Sequence, residues 1–249
     1  MPRVMSVTGV ILFLTITMAS AQQPTTLGLH EVSKRPSGDS RSPGQTKDPA
    51  LSPDELFRHV APSVFVVEAS DDRGSVATAG SGVAVGIDQV VTNKHVIDSA
   101  DSVRLRKGNK TWRATVARFD PEHDLCELKV QDLRAPLVPL RASSGLIVGE
   151  QVYAVGAPEG LELTLSEGLI SGLREFDGGG VIQTTAPISH GSSGGGLFDE
   201  QGRLIGITTF FVKEGQNLNF ALPADWVIAL SRERARCVQE MSKRGNSRR

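Results

Sequence analysis

His190-Gly191-Ser192-Ser193-Gly194-Gly195-Gly196 is the stretch that decides how this chain is read. The apolar segment Val181-Ile182-Gln183-Thr184 lies shortly before it, and Leu197-Phe198 follows it directly. A serine set among glycines and held between two strands has the surroundings a nucleophilic hydroxyl needs. Gly191 carries no side chain to shield its N–H, so that group and the N–H of Ser193 can aim at one developing oxyanion. Gly194 and Gly195 leave room for a substrate backbone and an imidazole ring to approach. A flexible glycine loop with an ordinary solvated serine would read the same way, so the rest of the chain must separate the two.

A serine hydroxyl is a poor nucleophile at neutral pH and needs a base, which in turn needs a carboxylate to orient it. Five histidines are present. His30 falls in a polar N-terminal stretch, His59 in a predicted first helix, His123 in a turn and His190 beside the glycine loop. His95 follows Val90-Val91-Thr92-Asn93-Lys94, where a strand ends, and precedes the short apolar turn Val96-Ile97. That puts an imidazole at a strand's rim rather than in its face. Asp124 opens the apolar strand Leu125-Cys126-Glu127-Leu128-Lys129-Val130, where a half-buried carboxylate can accept the imidazole Nδ1–H. Asp98, Asp101 and Asp120 read as turn or cap residues. The candidates are therefore Ser193 as nucleophile, His95 as base, Asp124 as orienting carboxylate, and the N–H groups of Gly191 and Ser193 as an oxyanion hole.

Around these residues the pattern is one of short strands. Ser52-Pro53-Asp54-Glu55 is a helix start, with serine as cap, proline at the first position and glutamate at the third. Short apolar runs follow at Val64–Val67, Ser81–Val85, Val90–Thr92, Val103–Leu105, Trp112–Val116 and Leu125–Val130. A second set spans Gln151–Val155, Leu163–Ile170, Val181–Thr184, Leu197-Phe198, Leu204–Phe211 and Leu218–Leu222. Turn residues punctuate both sets, which predicts an all-β barrel or sandwich pair rather than a parallel α/β sheet. Pro223 then opens a predicted C-terminal α-helix with Val227, Leu230, Cys237 and Met241 at helical spacing. No internal repeat is visible.

These blocks, in this order, resemble the Deg/HtrA type of trypsin-like serine protease. Gly80-Ser81-Gly82-Val83 and Val91-Thr92-Asn93-Lys94-His95-Val96 look like the family's histidine region, and Asp120-Pro121-Glu122-His123-Asp124-Leu125 like its aspartate strand. Val148 to Gly160 with Gly168-Leu169-Ile170-Ser171 resembles the entry into its second barrel. Ile182-Gln183-Thr184 with Gly191-Ser192-Ser193-Gly194-Gly195 is similar to its serine loop, and Asn219-Phe220-Ala221-Leu222-Pro223 to its last strand. The likeness runs from about Leu56 to Leu230 and implies a chymotrypsin-like fold: two perpendicular six-stranded β-barrels with a Ser-His-Asp triad in the cleft between them. It also implies a serine endopeptidase that works through an acyl-enzyme, needs no cofactor or metal, and acts on polypeptide substrates, unfolded or misfolded proteins among them.

There are departures from the family pattern. Ser192 stands where the family usually has asparagine, and His190 sits beside the oxyanion loop. Digestive relatives carry an aspartate before the nucleophile that pairs with a freshly cleaved N-terminus, and Ser192 cannot take that role. The resemblance assigns the base of the S1 pocket to Pro187, with Thr208, Phe210 and Phe220 as walls. None of these is a carboxylate, which predicts cleavage after apolar residues. The chain ends after the predicted helix, so no C-terminal PDZ domain is expected. The alternative reading is a catalytically silent protease fold that serves as a binding or chaperone module. An α/β-hydrolase esterase is excluded, because that class places the serine between a strand and a helix and the histidine last.

Composition bounds the remainder. The chain has 249 residues and a formal net charge of −1, with no basic cluster interleaved with aromatics, so no nucleic-acid partner is expected. Residues 1–21 read as a signal peptide: Arg3, an apolar run from Val4 to Met18, then Ala19-Ser20-Ala21. A retained anchor is the rival, but the run is shorter than the ~20 residues a spanning helix needs. Residues 22–51 are polar and proline-rich and read as a disordered linker, 52–242 as the protease domain and 243–249 as a basic tail. An exported, periplasmic or secreted protein without stable membrane insertion is the expectation. Cys126 and Cys237 fit both a disulfide and two buried thiols.

Overall fold

Ser52 starts the first element as its sequence predicts. α1 (Pro53–Val60) has Pro53 at its first position, and the Glu55 carboxylate accepts the Ser52 N–H at 3.0 Å. Leu56 and Val60 are buried, and a 3-10 turn at Ala61–Ser63 ends the helix. Just before it, the Leu51 N–H donates to the Glu200 carbonyl (2.8 Å). The computed structural model describes residues 49–98, 100–120, 122–158, 162–176, 179–211 and 217–230, all within one unit. The predicted leader, most of the linker, Cys237, Met241 and the basic tail lie outside the described residues.

Twelve strands follow in two closed barrels. The first contains β1 (Val64–Ser70), β2 (Val76–Gly86), β3 (Gln89–Asn93), β4 (Ser102–Lys107), β5 (Lys110–Asp120) and β6 (Leu125–Val130), hydrogen-bonded in the order β1-β2-β3-β6-β5-β4. The second contains β7 (Gln151–Gly156), β8 (Thr164–Phe176), β9 (Gly179–Thr184), β10 (Gly196–Asp199), β11 (Leu204–Phe211) and β12 (Asn219–Pro223), in the order β7-β8-β9-β12-β11-β10. The second order is the first shifted by six strands. The all-β expectation of two six-stranded barrels holds.

Burial along the strands explains the continuous apolar runs. In β1 every residue is buried, because Phe65, Val67 and Ala69 fill the first barrel while Val64 faces a second cluster. In β7, Val152 and Ala154 fill the second barrel while Tyr153 and Val155 join that same cluster. The shared cluster draws Leu56 and Val60 from α1, Val83, Val91 and Leu125 from the first barrel, and Phe198, Leu204 and Ile207 from the second. A strand buried on both faces loses the alternation a half-exposed strand would show. This cluster is the seam that joins the barrels.

One sequence expectation changes, and of the two readings left open for Cys126 the buried thiol is the one found. Pro223 does not open the helix; it is the last residue of β12, paired with Gly206, and helical residues run 224–230. Proline lacks an N–H, so a strand end tolerates it as well as a helix start does. Cys126 is a free thiol, fully buried in the first barrel beside Leu128 and Val130. Burial pushes its pKa up to about 12, so it behaves as a small inert hydrophobe. Among the described residues no helix is long and apolar enough to cross a membrane.

Candidate active site

The register of the first barrel brings His95 and Asp124 together. β3 pairs with β6 so that Asn93 faces Leu125, and the chain leaves both strands at the same barrel end. The 3-10 turn Lys94–Val96 then presents the imidazole. Asp124 is held by its main chain, whose carbonyl accepts the Lys94 N–H (3.0 Å) and the Asn93 Nδ2 (3.1 Å). Its φ of +51° is a left-handed conformation that aspartate tolerates better than most residues. Its Oδ1 accepts the His95 N–H (2.9 Å), and its Oδ2 lies 2.7 Å from His95 Nδ1. A carboxylate there holds the proton on Nδ1 and leaves the Nε2 lone pair facing outward.

The serine loop is built by backbone geometry. Ser192 N–H donates to the Ser189 carbonyl (3.0 Å), and Gly191 at the third position of that turn has φ +87°, the signature of a type II turn. Gly194, at φ +85°, must be glycine: a Cβ there would lie 2.1 Å from the Ser81 carbonyl oxygen and 2.4 Å from Thr92 Oγ1. Its N–H donates to the Thr208 carbonyl (2.8 Å), and the Gly195 N–H to that of Ser192 (2.9 Å). Among the described residues, no protein acceptor takes the N–H of Gly191 or of Ser193. Both are available to an incoming oxygen.

Two residues outside the predicted set tie the loop to the first barrel. Ser81 in β2 donates its N–H to the Ser193 carbonyl (2.8 Å) and its hydroxyl to the Gly191 carbonyl (2.8 Å). The same Ser81 Oγ accepts the buried Ala157 N–H (2.8 Å). Thr209 in β11 lies between serine and carboxylate: its carbonyl accepts the Ser193 hydroxyl (2.8 Å), and its own hydroxyl donates to Asp124 Oδ2 (3.3 Å). The resemblance places Thr209 among the S1 walls, with no sign of this link. A threonine next to an aromatic at the end of an apolar strand carries no local mark of its partner 85 positions away.

His95, Asp124, Ser193 and Thr209 line one cleft of about 450 Å³, with Ser189, His190 and Phe210 completing its wall. The Ser193 hydroxyl donates to the Thr209 carbonyl rather than to the imidazole, so that hydrogen bond must be given up before the proton can pass to His95. The four S1 candidates do not line a single pocket. Pro187, exposed, and Thr208, buried, border a separate cavity of about 140 Å³ beneath the turn, where Thr208 Oγ1 donates to the Ser192 carbonyl (2.6 Å). Phe210 faces the larger cleft and stacks on Phe220 with ring centroids 4.7 Å apart. Among the described residues, Asp124 is the sole carboxylate lining either cavity. Among the described residues no group of three or more His, Cys, Asp or Glu could hold a metal ion.

Two closed barrels whose facing ends bring a histidine–aspartate pair and a glycine-flanked serine into one cleft are the architecture of trypsin-like peptidases. A trypsin-like peptidase domain is recognised over residues 80–207, and the chain belongs to that family. Deg/HtrA serine proteases are among its relatives. It is 34% identical over 210 residues to Protease Do-like 1 of Arabidopsis thaliana chloroplasts, covering 75% of this chain and 48% of that protein. It is 32% identical over 188 residues to a probable periplasmic serine endoprotease, DegP-like, of Pseudomonas putida, covering 72% and 39%. The crystal structure of the serine endoprotease from Yersinia pestis superposes with a TM-score of 0.67 at 29% identity, covering 75% of this chain and 67% of that one. The chain thus spans about half or less of the curated relatives named here.

Proposed function

We infer that this chain is an exported serine endopeptidase whose triad is Ser193, His95 and Asp124. The observation that carries the reading is the 2.7 Å contact of His95 Nδ1 with Asp124 Oδ2 in the cleft that also receives Ser193. His95 Nε2 takes the Ser193 proton as the serine oxygen bonds to the scissile carbonyl carbon. The carbonyl oxygen becomes an oxyanion between the Gly191 and Ser193 N–H groups. His95 then gives the proton to the departing amine, which leaves an ester between Ser193 and the N-terminal half of the substrate. A water molecule, deprotonated by the same imidazole, hydrolyses that ester. Each oxyanion donor is worth about 3 kcal/mol of transition-state stabilisation.

Substrate preference follows from the cleft wall. Asp124 is engaged by His95, and the Phe210–Phe220 stack offers an aromatic surface, so the residue before the cleaved bond is apolar. Accessible backbone is needed to enter the cleft, which favours unfolded polypeptides. The signal-like residues 1–21 and the periplasmic assignment of a relative support export. Cleavage of a proteome-derived peptide library, compared between the chain and Ser193→Ala, tests the reading. New N-termini following apolar residues, absent with the variant, are the predicted result; a preference for Arg or Lys would overturn the pocket assignment. The silent-module alternative has one feature in its favour, the Ser193 hydroxyl turned to the Thr209 carbonyl, and it requires that no cleavage occur at all.

A further inference from the structure

A second concavity lies away from the serine cleft, bounded by α1 and its 3-10 turn, β1, the end of β4, and residues 162–163. Its volume is about 630 Å³, within the range of small-molecule sites. Phe57, Pro62, Val66 and Leu163 supply apolar walls, and Lys107 projects into it from β4. The Lys107 ammonium donates to the carbonyls of Ala61 (2.6 Å) and Pro62 (2.5 Å) and sits 4.2 Å from the centroid of the Phe65 ring. Two of its three N–H groups go to carbonyls and the ring lies against it, so the charge is hydrogen-bonded but not neutralised.

The charges around this groove are unevenly matched. Arg58 is paired with Asp54, and Arg106 with Glu68 (2.7 Å) and more distantly with Glu162 (3.9 Å). Among the described residues Lys107 has carbonyl and ring neighbours but no carboxylate within ion-pair distance, and burial pulls its pKa down to about 8. A desolvated cation at the wall of an apolar trough gains most from an anion that brings its own apolar surface. The geometry points to a binding site for a fatty-acid-type carboxylate, with the head group on Lys107 Nζ and the chain along Phe57, Val66 and Leu163. The carboxylate neutralises the ammonium, and the methylenes cover the apolar walls. This site needs no hydrolytic activity, so its fate is separate from that of the triad.

Calorimetric titration of the full chain at pH 7 with decanoate, below its micelle concentration, tests the assignment. Saturable one-site binding is expected, at least tenfold tighter than that of decyltrimethylammonium, which has the same chain length and the opposite charge. Lys107→Met should weaken decanoate at least tenfold, while Lys107→Arg should keep it within about threefold. Should Lys107→Met fail to fold, Leu163→Glu, which puts a carboxylate on a part-exposed wall, should likewise abolish decanoate binding. No saturable binding, equal affinity for the two amphiphiles, or unchanged decanoate affinity in either Lys107→Met or Leu163→Glu would overturn it.

Discussion

Asp124 controls the imidazole through two contacts, one to the His95 N–H and one to Nδ1, so it fixes both backbone and tautomer. Asp124→Asn would preserve the shape but not the acceptor at Nδ1, and kcat should fall roughly ten-thousandfold. Thr209→Val removes the hydroxyl on Asp124 Oδ2 yet leaves the carbonyl that holds Ser193. At 3.3 Å this is a long hydrogen bond, so a loss of about tenfold in kcat with little change in KM is expected from steady-state kinetics. Gly194→Ala places a methyl 2.1 Å from the Ser81 oxygen at a left-handed φ, and should cost well over the ~1 kcal/mol of an average substitution in a melting experiment. The loop glycines and the candidate triad were legible because each carries a local mark: a serine flanked by glycines, an imidazole after a strand, a carboxylate before one. Thr209 and Ser81 were not, because their importance comes from partners across the seam.

Among the elements, β2 couples the barrels through Ser81. The Ser81 hydroxyl bridges the Gly191 carbonyl and the Ala157 N–H, so one side chain fixes both the serine loop and the end of β7. Ser81→Ala leaves a buried N–H without its acceptor, a loss of about 1–3 kcal/mol visible in denaturant unfolding, and loosens the oxyanion turn so that kcat falls too. β1 and β4 offer a pH test. Glu68 is buried in β1 opposite Arg104; burial raises its pKa, but hydrogen bonds from Arg106 (2.7 Å) and Arg104 (2.5 Å) outweigh it and leave the carboxyl below its usual value. A depressed carboxylate stabilises the fold above its unfolded pKa, and that contribution disappears as pH falls through the folded value. Glu68→Gln should therefore melt lower than the parent at pH 7, with the gap closing in acid below about pH 4. Strand positions were readable from apolar runs, but their ends were not: β2, β5 and β8 extend well past the buried residues, because ladder hydrogen bonding continues where side chains face solvent.

At the scale of the whole molecule, the two barrels share one strand order although no repeat shows in the sequence. Core positions of a barrel need only be apolar and of suitable volume, so topology persists while residue identity does not. The seam cluster shows why the pairing of the barrels could not be read from periodicity: strands buried on both sides look uniformly apolar, and only the fold tells which face meets which core. The candidate site exists only in this assembled state, since Asp124 and His95 come from the first barrel and Ser193 and Thr209 from the second. The most direct test is labelling of the folded chain with a fluorophosphonate, followed by mass mapping of the adduct. Labelling on Ser193 alone, lost in both Ser193→Ala and His95→Ala, is the predicted result. A folded chain that stays unlabelled, or that reacts equally well without the His95 imidazole, would contradict the claim that this imidazole activates this serine.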